Sequence, residues 1–202
     1  MTDKPSMPVV TLATKITILR ILGVPVFILL VVYYLHDLAA GTDNVHLRIG
    51  ALVVFVLVAL TDALDGYLAR SRNEVTELGR VLDPLADKAL LLSGTILLTR
   101  PLMQGLEPHL PLWYSATVIS RDVVLVGGYL VVHHVVGKVV VWPSIFGKIA
   151  TFLQMLAITW ILGAWPDRYF DYLVIAAAFF TIVSAGQYLF SGVRQLEAGS
   201  KT

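Results

Sequence analysis

The chain alternates six long apolar stretches with short polar segments. The apolar stretches lie at about residues 17 to 36, 47 to 70, 82 to 100, 112 to 136, 141 to 163 and 169 to 192. Each has roughly the 20 residues that a helix needs to cross the hydrocarbon core of a bilayer. Because a lipid-exposed backbone must satisfy its own hydrogen bonds, we expect α-helices in spite of the many Val and Ile residues. The pattern therefore predicts an all-α integral membrane protein with six transmembrane helices.

The composition agrees with a location in the bilayer. Of the 202 residues, 57% are hydrophobic and only 14% are charged, and the mean hydropathy is +0.78. These values lie outside the range of soluble globular domains. No linker or repeat divides the chain, so we expect one domain over residues 1–202, with a cytoplasmic or interfacial segment at 1–16 and a tail at 197–202. The absence of cysteine excludes disulfides, thiolate catalysis and cysteine-ligated zinc.

The first apolar stretch has a second interpretation, as the core of a signal peptide with a cleavage site at Ala39 and Ala40. Its length exceeds the roughly 7 to 15 residues of such cores, which favours a membrane span.

Basic residues predict the orientation of the helices, because cytoplasmic loops carry an excess of Lys and Arg. The loops on one side of the membrane hold Arg48, Arg100 and Arg168. The termini, the other loops and the adjoining helix ends hold Lys4, Lys15, Arg20, Arg70, Arg72, Arg80, Lys88, Lys138, Lys148, Arg194 and Lys201. We therefore expect both termini and the loop around residues 71 to 81 on the cytoplasmic side.

Four aspartates lie near or inside two neighbouring apolar stretches. Asp62 and Asp65 are three residues apart at the end of the second predicted helix, and Asp83 and Asp87 are four apart at the start of the third. Each pair lies on one helical face. The connection has only about a dozen residues, so the helices should be antiparallel neighbours that bring the two pairs together.

Such a set of carboxylates favours a metal site. An ionisable group inside a membrane is costly unless it is paired, metal-bound or facing water. Oxygen ligands suit hard cations such as Mg²⁺ or Mn²⁺, and two ions about 3.5 to 4 Å apart would let one carboxylate bridge both. The alternative is salt bridging of the aspartates to Arg70, Arg80 and Lys88.

Small and basic residues accompany the aspartates. Gly66 would let a phosphate or nucleotide approach the helix backbone, and Arg70 can bind phosphate oxygens. The alternatives are close helix packing through Gly66 and Ala69, and anchoring of the membrane interface by Arg70 and Arg72.

The spacing Asp-x₂-Asp-Gly-x₂-Ala-Arg-x₈-Gly-x₃-Asp-x₃-Asp resembles the signature of the CDP-alcohol phosphatidyltransferase family, with all eight fixed positions matched across 26 residues. The resemblance implies a homodimer, two divalent ions, a metal site open to the cytoplasm and CDP-diacylglycerol as the usual donor. It also implies roles for individual residues. Asp62, Asp65 and Asp83 would be metal ligands, Asp87 a ligand that also acts as the base, and Gly66, Arg70 and Thr76 contacts to the CDP group.

Further segments resemble the bacterial phosphatidylglycerophosphate synthases of that family. They are the opening with Thr14, Thr17, Arg20 and Pro25, the segment from Gly147-Lys148 to Gln154-Met155, and Ser184-Ala-Gly-Gln187-Tyr188. The resemblance adds Thr17 and Arg20 to the residues expected at the CDP-lipid. Thr14 stands where those enzymes usually have Asn.

Arg121 and Lys148 are candidates for binding the phosphate of an acceptor. Arg121 lies inside the fourth apolar stretch and needs an anionic partner, either Asp122, another internal acid or a substrate phosphate. Lys148 could instead anchor the membrane interface. The pair Arg121-Asp122 resembles CMP-forming cardiolipin synthases, because the glycerophosphate enzymes usually have Arg-Glu there.

Together these features predict transfer of a phosphatidyl group from CDP-diacylglycerol to sn-glycerol 3-phosphate, with release of CMP. Phosphatidylglycerol, which would give cardiolipin, is the alternative acceptor, followed by inositol phosphate. A metal-ion transporter is a rival of another class, because intramembrane acids also build cation pathways. The acids here gather at one rim of the membrane, which favours the enzyme over a transporter or a non-enzymatic scaffold.

Overall fold

The computed structural model of the chain describes the backbone of residues 12–72, 77–99, 107–136 and 144–199. Side chains are described for residues 22–61, 86–99, 107–132, 134–135 and 144–195.

Six long helices account for most of the described backbone. They are α1 (Leu12–Ala39), α2 (Val45–Arg72), α3 (Glu77–Leu97), α4 (Leu112–Val136), α5 (Ile145–Leu162) and α6 (Phe170–Gly199), with a 3₁₀ turn at Asp167–Tyr169 before α6. Each predicted apolar stretch coincides with one of them, so the expected all-α architecture is confirmed. Several helices extend past the apolar stretches into polar sequence, most clearly α1 at its start and α3 at its start. Hydropathy marks the part of a helix that lies in lipid, whereas backbone hydrogen bonding continues into water.

Four segments of the described chain are long and apolar enough to cross a membrane: Leu22–Ala39, Leu112–Val132, Ile145–Leu162 and Asp167–Gln195. Among the residues whose side chains are described, α2 contributes the apolar stretch Val45–Thr61. An integral membrane protein is thus supported, and the number of six crossings stays a prediction.

The chain forms two compact units, Met1–Gly94 and Thr95–Thr202. In the first unit, α1 packs against α2. Their interface buries large side chains on both helices, and the rings of Phe27 and Phe55 lie 5.4 Å apart. A Cβ atom at Gly23 would collide with the Val58 side chain, so a larger residue at this position of α1 would force Val58 of α2 to move.

A short polar turn joins α1 to α2 and sets their antiparallel arrangement. Gly41 adopts a φ of 83°, the left-handed conformation that ends many helices. The Thr42 amide donates to the Asp37 carbonyl at 2.9 Å, and the Asn44 side chain donates to the Asp37 carboxylate at 2.9 Å. The turn therefore fixes the start of α2, the helix that carries the first half of the acidic motif.

In the second unit, α6 packs against both α4 and α5. Both α5 and α6 carry small buried residues, the kind that lets helix backbones approach closely. They are Ala150 and Ala157 on α5 and Ala177 and Ala178 on α6.

A chain of buried hydrogen bonds joins three helical segments of this unit. The Gln154 amide on α5 donates to the Thr95 hydroxyl on α3 at 2.8 Å. The Thr99 hydroxyl contacts the carbonyl of Thr95 and lies 2.5 Å from the Ser115 hydroxyl on α4. Such groups are costly to bury without partners, so the network fixes how these segments pack.

The bond between Gln154 and Thr95 can be tested with a double-mutant cycle of Gln154→Leu and Thr95→Val. We expect a coupling free energy of about 0.6 kcal/mol, typical of hydrogen bonds between helices in a membrane. Reversible unfolding in a bilayer measures it. Thr159→Val is the matched control for Thr95→Val in the cycle. The Thr159 hydroxyl donates to the Met155 carbonyl of its own helix, so it should show no coupling to Gln154. Equal coupling in both cycles would contradict the prediction.

Candidate functional site

The acidic motif lies on two successive helices, as the sequence predicts. Asp62 and Asp65 belong to α2, and Asp83 and Asp87 belong to α3. Because both segments are helical, the two positions of each pair lie on one face of their helix. The helices are separated by only residues 73–76, fewer than the dozen expected, since both helices continue through polar sequence.

Asp87 is the one predicted metal ligand whose side chain is described. It is half-buried, beside the buried Ala86 and before the buried Leu90, while its neighbour Lys88 is exposed. No three His, Asp or Glu side chains come together among the described side chains, a set that excludes Asp62, Asp65 and Asp83. The convergence of the four carboxylates stays a prediction.

The residues expected at the CDP-lipid lie in the same part of the chain. Thr17 and Arg20 have helical backbone in α1, and Gly66 and Arg70 have helical backbone in α2, while their side chains are outside the described set. Thr76 lies outside the described residues altogether. Their contacts with a nucleotide remain predictions.

Arg121 is the most informative charged residue whose side chain is described. It lies on α4, inside the candidate span Leu112–Val132, and its side chain is only 16% exposed. Its Nη1 atom donates to the Asp122 carboxylate at 2.8 Å. Asp122 is thus an anionic partner, one of the options that the sequence left open. The Arg121 Nε atom, by contrast, is buried and has no hydrogen-bond partner.

Three helices converge around Arg121. A Cβ atom built on Gly147 of α5 would lie 3.3 Å from Arg121 Nη2 and 3.0 Å from the Ser184 hydroxyl of α6. Both distances are tighter than ordinary Cβ contacts, so an alanine at this position would force the guanidinium or the hydroxyl to shift by a few tenths of an ångström. Arg121, Gly147 and Ser184 are called the three-helix cluster below.

The N-terminus of α5 lies at this cluster. Ser144 caps the helix, and its hydroxyl accepts a long hydrogen bond from the Gly147 amide at 3.4 Å. The same hydroxyl donates to the Gln187 side-chain oxygen at 2.5 Å, and the Ser144 amide lies 3.5 Å from the Tyr188 hydroxyl. Residues of α6 therefore hold the start of α5 in place. A helix N-terminus carries partial positive charge, and the exposed Lys148 in the first turn adds to it.

Sequence reasoning assigned Arg121 and Lys148 but no role to Ser184, Gln187 and Tyr188. The spacing of these three residues could have indicated a shared surface, because residues three and four positions apart lie on one face of a helix. The structure adds the tertiary contact: that face of α6 meets the start of α5.

Comparison with known proteins agrees with both the motif and the helical architecture. The family model of the CDP-alcohol phosphatidyltransferases matches residues 10–186. The chain therefore belongs to the CDP-alcohol phosphatidyltransferase family, as the resemblance of its acidic motif predicted.

Among its relatives is the CDP-diacylglycerol--glycerol-3-phosphate 3-phosphatidyltransferase of Bacillus subtilis, which is 31% identical over 188 residues, covering 88% of this chain and 92% of the relative. The enzymes of the same name from Escherichia coli and Salmonella typhimurium are 32% and 33% identical over 184 residues, covering 87% of this chain and 91% of each relative.

Gly147→Ala tests the close packing at the three-helix cluster. Replacing glycine by alanine inside a helix normally stabilises it by roughly 0.5–1 kcal/mol, so any loss of function must come from the crowded Cβ. We expect phosphatidyltransferase activity at limiting acceptor to fall about tenfold, because small displacements of binding groups are costly. Gly192→Ala on α6 is the control, since its Cβ would lie 3.8 Å from Val132, an ordinary contact. Wild-type activity in Gly147→Ala would show that the space is not needed.

Proposed function

We propose that the chain transfers a phosphatidyl group from CDP-diacylglycerol to sn-glycerol 3-phosphate, releasing CMP and forming phosphatidylglycerol phosphate. The acidic motif on α2 and α3, with all eight fixed positions of the family signature, is the observation that carries the proposal. The names of the relatives, which cover nearly their whole length, support this choice of acceptor.

Asp62, Asp65, Asp83 and Asp87 would hold two divalent cations. Four carboxylates on two successive helices form an oxygen-only donor set that suits Mg²⁺ or Mn²⁺ better than softer metals. When bound, such ions neutralise the charge of a diphosphate and stabilise the leaving phosphate oxygen. Thr17, Arg20, Gly66, Arg70 and Thr76 would bind the CDP part of the donor.

Asp87 would act as the general base. Its carboxylate accepts the proton of the free primary hydroxyl of glycerol 3-phosphate, and the hydroxyl oxygen attacks the lipid-bearing phosphorus of the donor. The new bond joins that oxygen to phosphorus as the bond to the CMP oxygen breaks.

Arg121 and Lys148 would bind the phosphate of the acceptor. Both belong to the second unit, where Arg121 reaches the start of α5 and Lys148 lies in its first turn. A guanidinium and an ammonium beside a helix N-terminus form a local excess of positive charge, which the single carboxylate of Asp122 offsets only in part. This surplus fits a phosphorylated alcohol.

The proposal also includes the oligomeric state of the protein and its location and orientation in the membrane. The enzyme would be a homodimer in the cytoplasmic membrane of a bacterium, with both termini and the metal site facing the cytoplasm. The distribution of Lys and Arg along the sequence supports this orientation.

An assay of acceptors tests the proposed reaction. Purified protein supplied with Mg²⁺ and labelled CDP-diacylglycerol should form labelled lipid with sn-glycerol 3-phosphate and release CMP. This acceptor combines a small phosphate with a free primary hydroxyl, whereas phosphatidylglycerol has no phosphomonoester and the ring hydroxyls of inositol phosphate are secondary. Phosphatidylglycerol and inositol phosphate, offered in parallel, should give no product. Labelled cardiolipin from phosphatidylglycerol alone would identify a cardiolipin synthase instead. Uptake of Mn²⁺ into proteoliposomes without CMP release would favour a transporter.

Replacement of the proposed base is a second test. Asp87→Asn should lower turnover by at least about 10²-fold, the smaller end of what general bases contribute. Binding of CDP-diacylglycerol, measured by calorimetry, should be largely retained, because the amide oxygen can still contact a cation. Asp171→Asn on the first turn of α6 removes an exposed carboxylate and should leave turnover unchanged. Undiminished turnover in Asp87→Asn would rule out the role as base.

A further inference from the structure

Arg194 is an isolated charge near the C-terminal end of α6. It is the one charged residue in the sequence between Asp171 and Glu197. Its side chain is exposed, and its guanidinium carbon lies 4.5 Å from the centre of the Phe190 ring. A cation over an aromatic face is attracted by the electrons of the ring. Phe190 is 61% exposed, so this pair lies on the surface of the second unit.

The side of α6 that carries Arg194 and Phe190 points away from α4. Gly192 faces α4, because a Cβ atom built on it would lie 3.8 Å from the Val132 side chain. Residues two positions apart on a helix are rotated by about 200°, so Phe190 and Arg194 lie on the opposite side from Gly192. Their exposed apolar neighbours are Leu189 and Val193. An exposed apolar patch on a membrane-spanning helix is a surface for lipid.

The length of α6 brings Arg194 to the lipid headgroups. Two exposed aromatic residues near the start of the helix, Tyr169 and Tyr172, are typical of one membrane interface. At a rise of 1.5 Å per residue, Arg194 lies about 33–38 Å further along the axis than these tyrosines. The hydrocarbon core is only about 30 Å thick, whereas the bilayer with its headgroups measures about 40–45 Å. Arg194 therefore lies past the hydrocarbon, at the level of the phosphates of the opposite leaflet.

Arg194 has donors available for such a phosphate. Among the side chains that the structure describes, no carboxylate pairs with it. A guanidinium has five N–H donors in one plane, an arrangement that fits the oxygens of a phosphate. Arg168 differs, although its guanidinium also lies near a ring, that of Tyr169 at 5.7 Å. Asp167 and Asp171 follow or precede Arg168 within three residues and offset its charge, so the surplus of positive charge is at Arg194.

We propose that Arg194 and Phe190 form a binding site for one anionic phospholipid, which is a lipid partner of the protein and not a substrate. The guanidinium binds the headgroup phosphate, and the Phe190 ring contacts the part of the acyl chains next to the glycerol. In the orientation proposed above, this lipid belongs to the cytoplasmic leaflet. A zwitterionic lipid binds less well, because its own ammonium group competes with Arg194 for the phosphate. The inference does not depend on the reaction that the protein catalyses.

A lipid bound at this site should stabilise the second unit. Gln187 and Tyr188 lie on the two turns of α6 before Arg194 and contact Ser144 at the start of α5. A ligand that binds the folded state alone raises its stability. The lipid that holds the end of α6 therefore also stabilises the contact between α6 and α5.

Binding of a synthetic lipid to the full-length protein tests the proposal. The probe is phosphatidylmethanol, an anionic phosphodiester without a hydroxyl group that could act as an acceptor, and native mass spectrometry counts the lipids bound. The wild-type protein should bind it more tightly than phosphatidylcholine. Arg194→Gln should lower the affinity about fivefold, the effect of one arginine at an anionic membrane surface. Arg194→Lys, which keeps the charge, should lose less.

Arg168→Gln is the matched control, because it removes the same charge from the other end of the helix, and it should leave the affinity unchanged. Phosphatidylmethanol should raise the thermal unfolding midpoint of the wild-type protein and of Arg168→Gln more than that of Arg194→Gln. All three proteins should have the same midpoint in detergent without lipid. No CDP-diacylglycerol is present, so a failure of the acceptor assay leaves this result intact, and a failure here leaves the proposed reaction intact.

Four results would overturn the inference. Equal affinity of Arg194→Gln and the wild-type protein would show that Arg194 does not bind the lipid. Equal binding of phosphatidylcholine and phosphatidylmethanol would refute the preference for anionic lipids. Displacement of the lipid by sn-glycerol 3-phosphate would indicate that a soluble phosphate is the ligand. Loss of dimers in Arg194→Gln, seen in the same mass spectra, would show that a second copy of the chain covers this surface.

Discussion

The burial of a guanidinium among apolar helices is the constraint on which the second unit depends. Arg121 interrupts a hydrophobic span, and removing such a charge from water is costly unless it finds anionic or polar partners. Asp122 provides one partner, the glycine at 147 lets α5 come near, and α6 contributes Ser184. Helices α4, α5 and α6 therefore pack around a group of polar side chains as well as around an apolar core.

The same rule explains other contacts of the unit. Gln154, Thr95, Thr99 and Ser115 pair with one another, because no water is available in a hydrocarbon layer to satisfy them. Three other buried polar atoms of this unit have no hydrogen-bond partner among the described residues: the Tyr114 hydroxyl, Arg121 Nε and the Ser184 hydroxyl.

Much of this arrangement could be predicted from the sequence, for definite reasons. Apolar stretches of a membrane protein are helical because the backbone has no alternative, so all six helices were predictable despite the β-branched residues. The helix ends were not, since helices such as α3 continue into polar sequence where hydropathy gives no signal. The acidic motif was recognisable from its spacing. Ser184 belongs to a segment whose resemblance to the family could be recognised in the sequence. Its proximity to α5 could not be predicted, because it depends on which face of α6 meets α5.

The positions of the proposed binding residues along the chain bear on acceptor specificity. The motif residues that would hold the cations and the CDP group lie before residue 95, whereas the proposed acceptor-binding residues Arg121 and Lys148 follow it. A change of acceptor would then require substitutions in the second unit alone and would leave the chemistry of the first intact. Asp122 bears on this balance. Its carboxylate lies 2.8 Å from Arg121 Nη1 and neutralises part of the positive charge that would meet the phosphate of an acceptor.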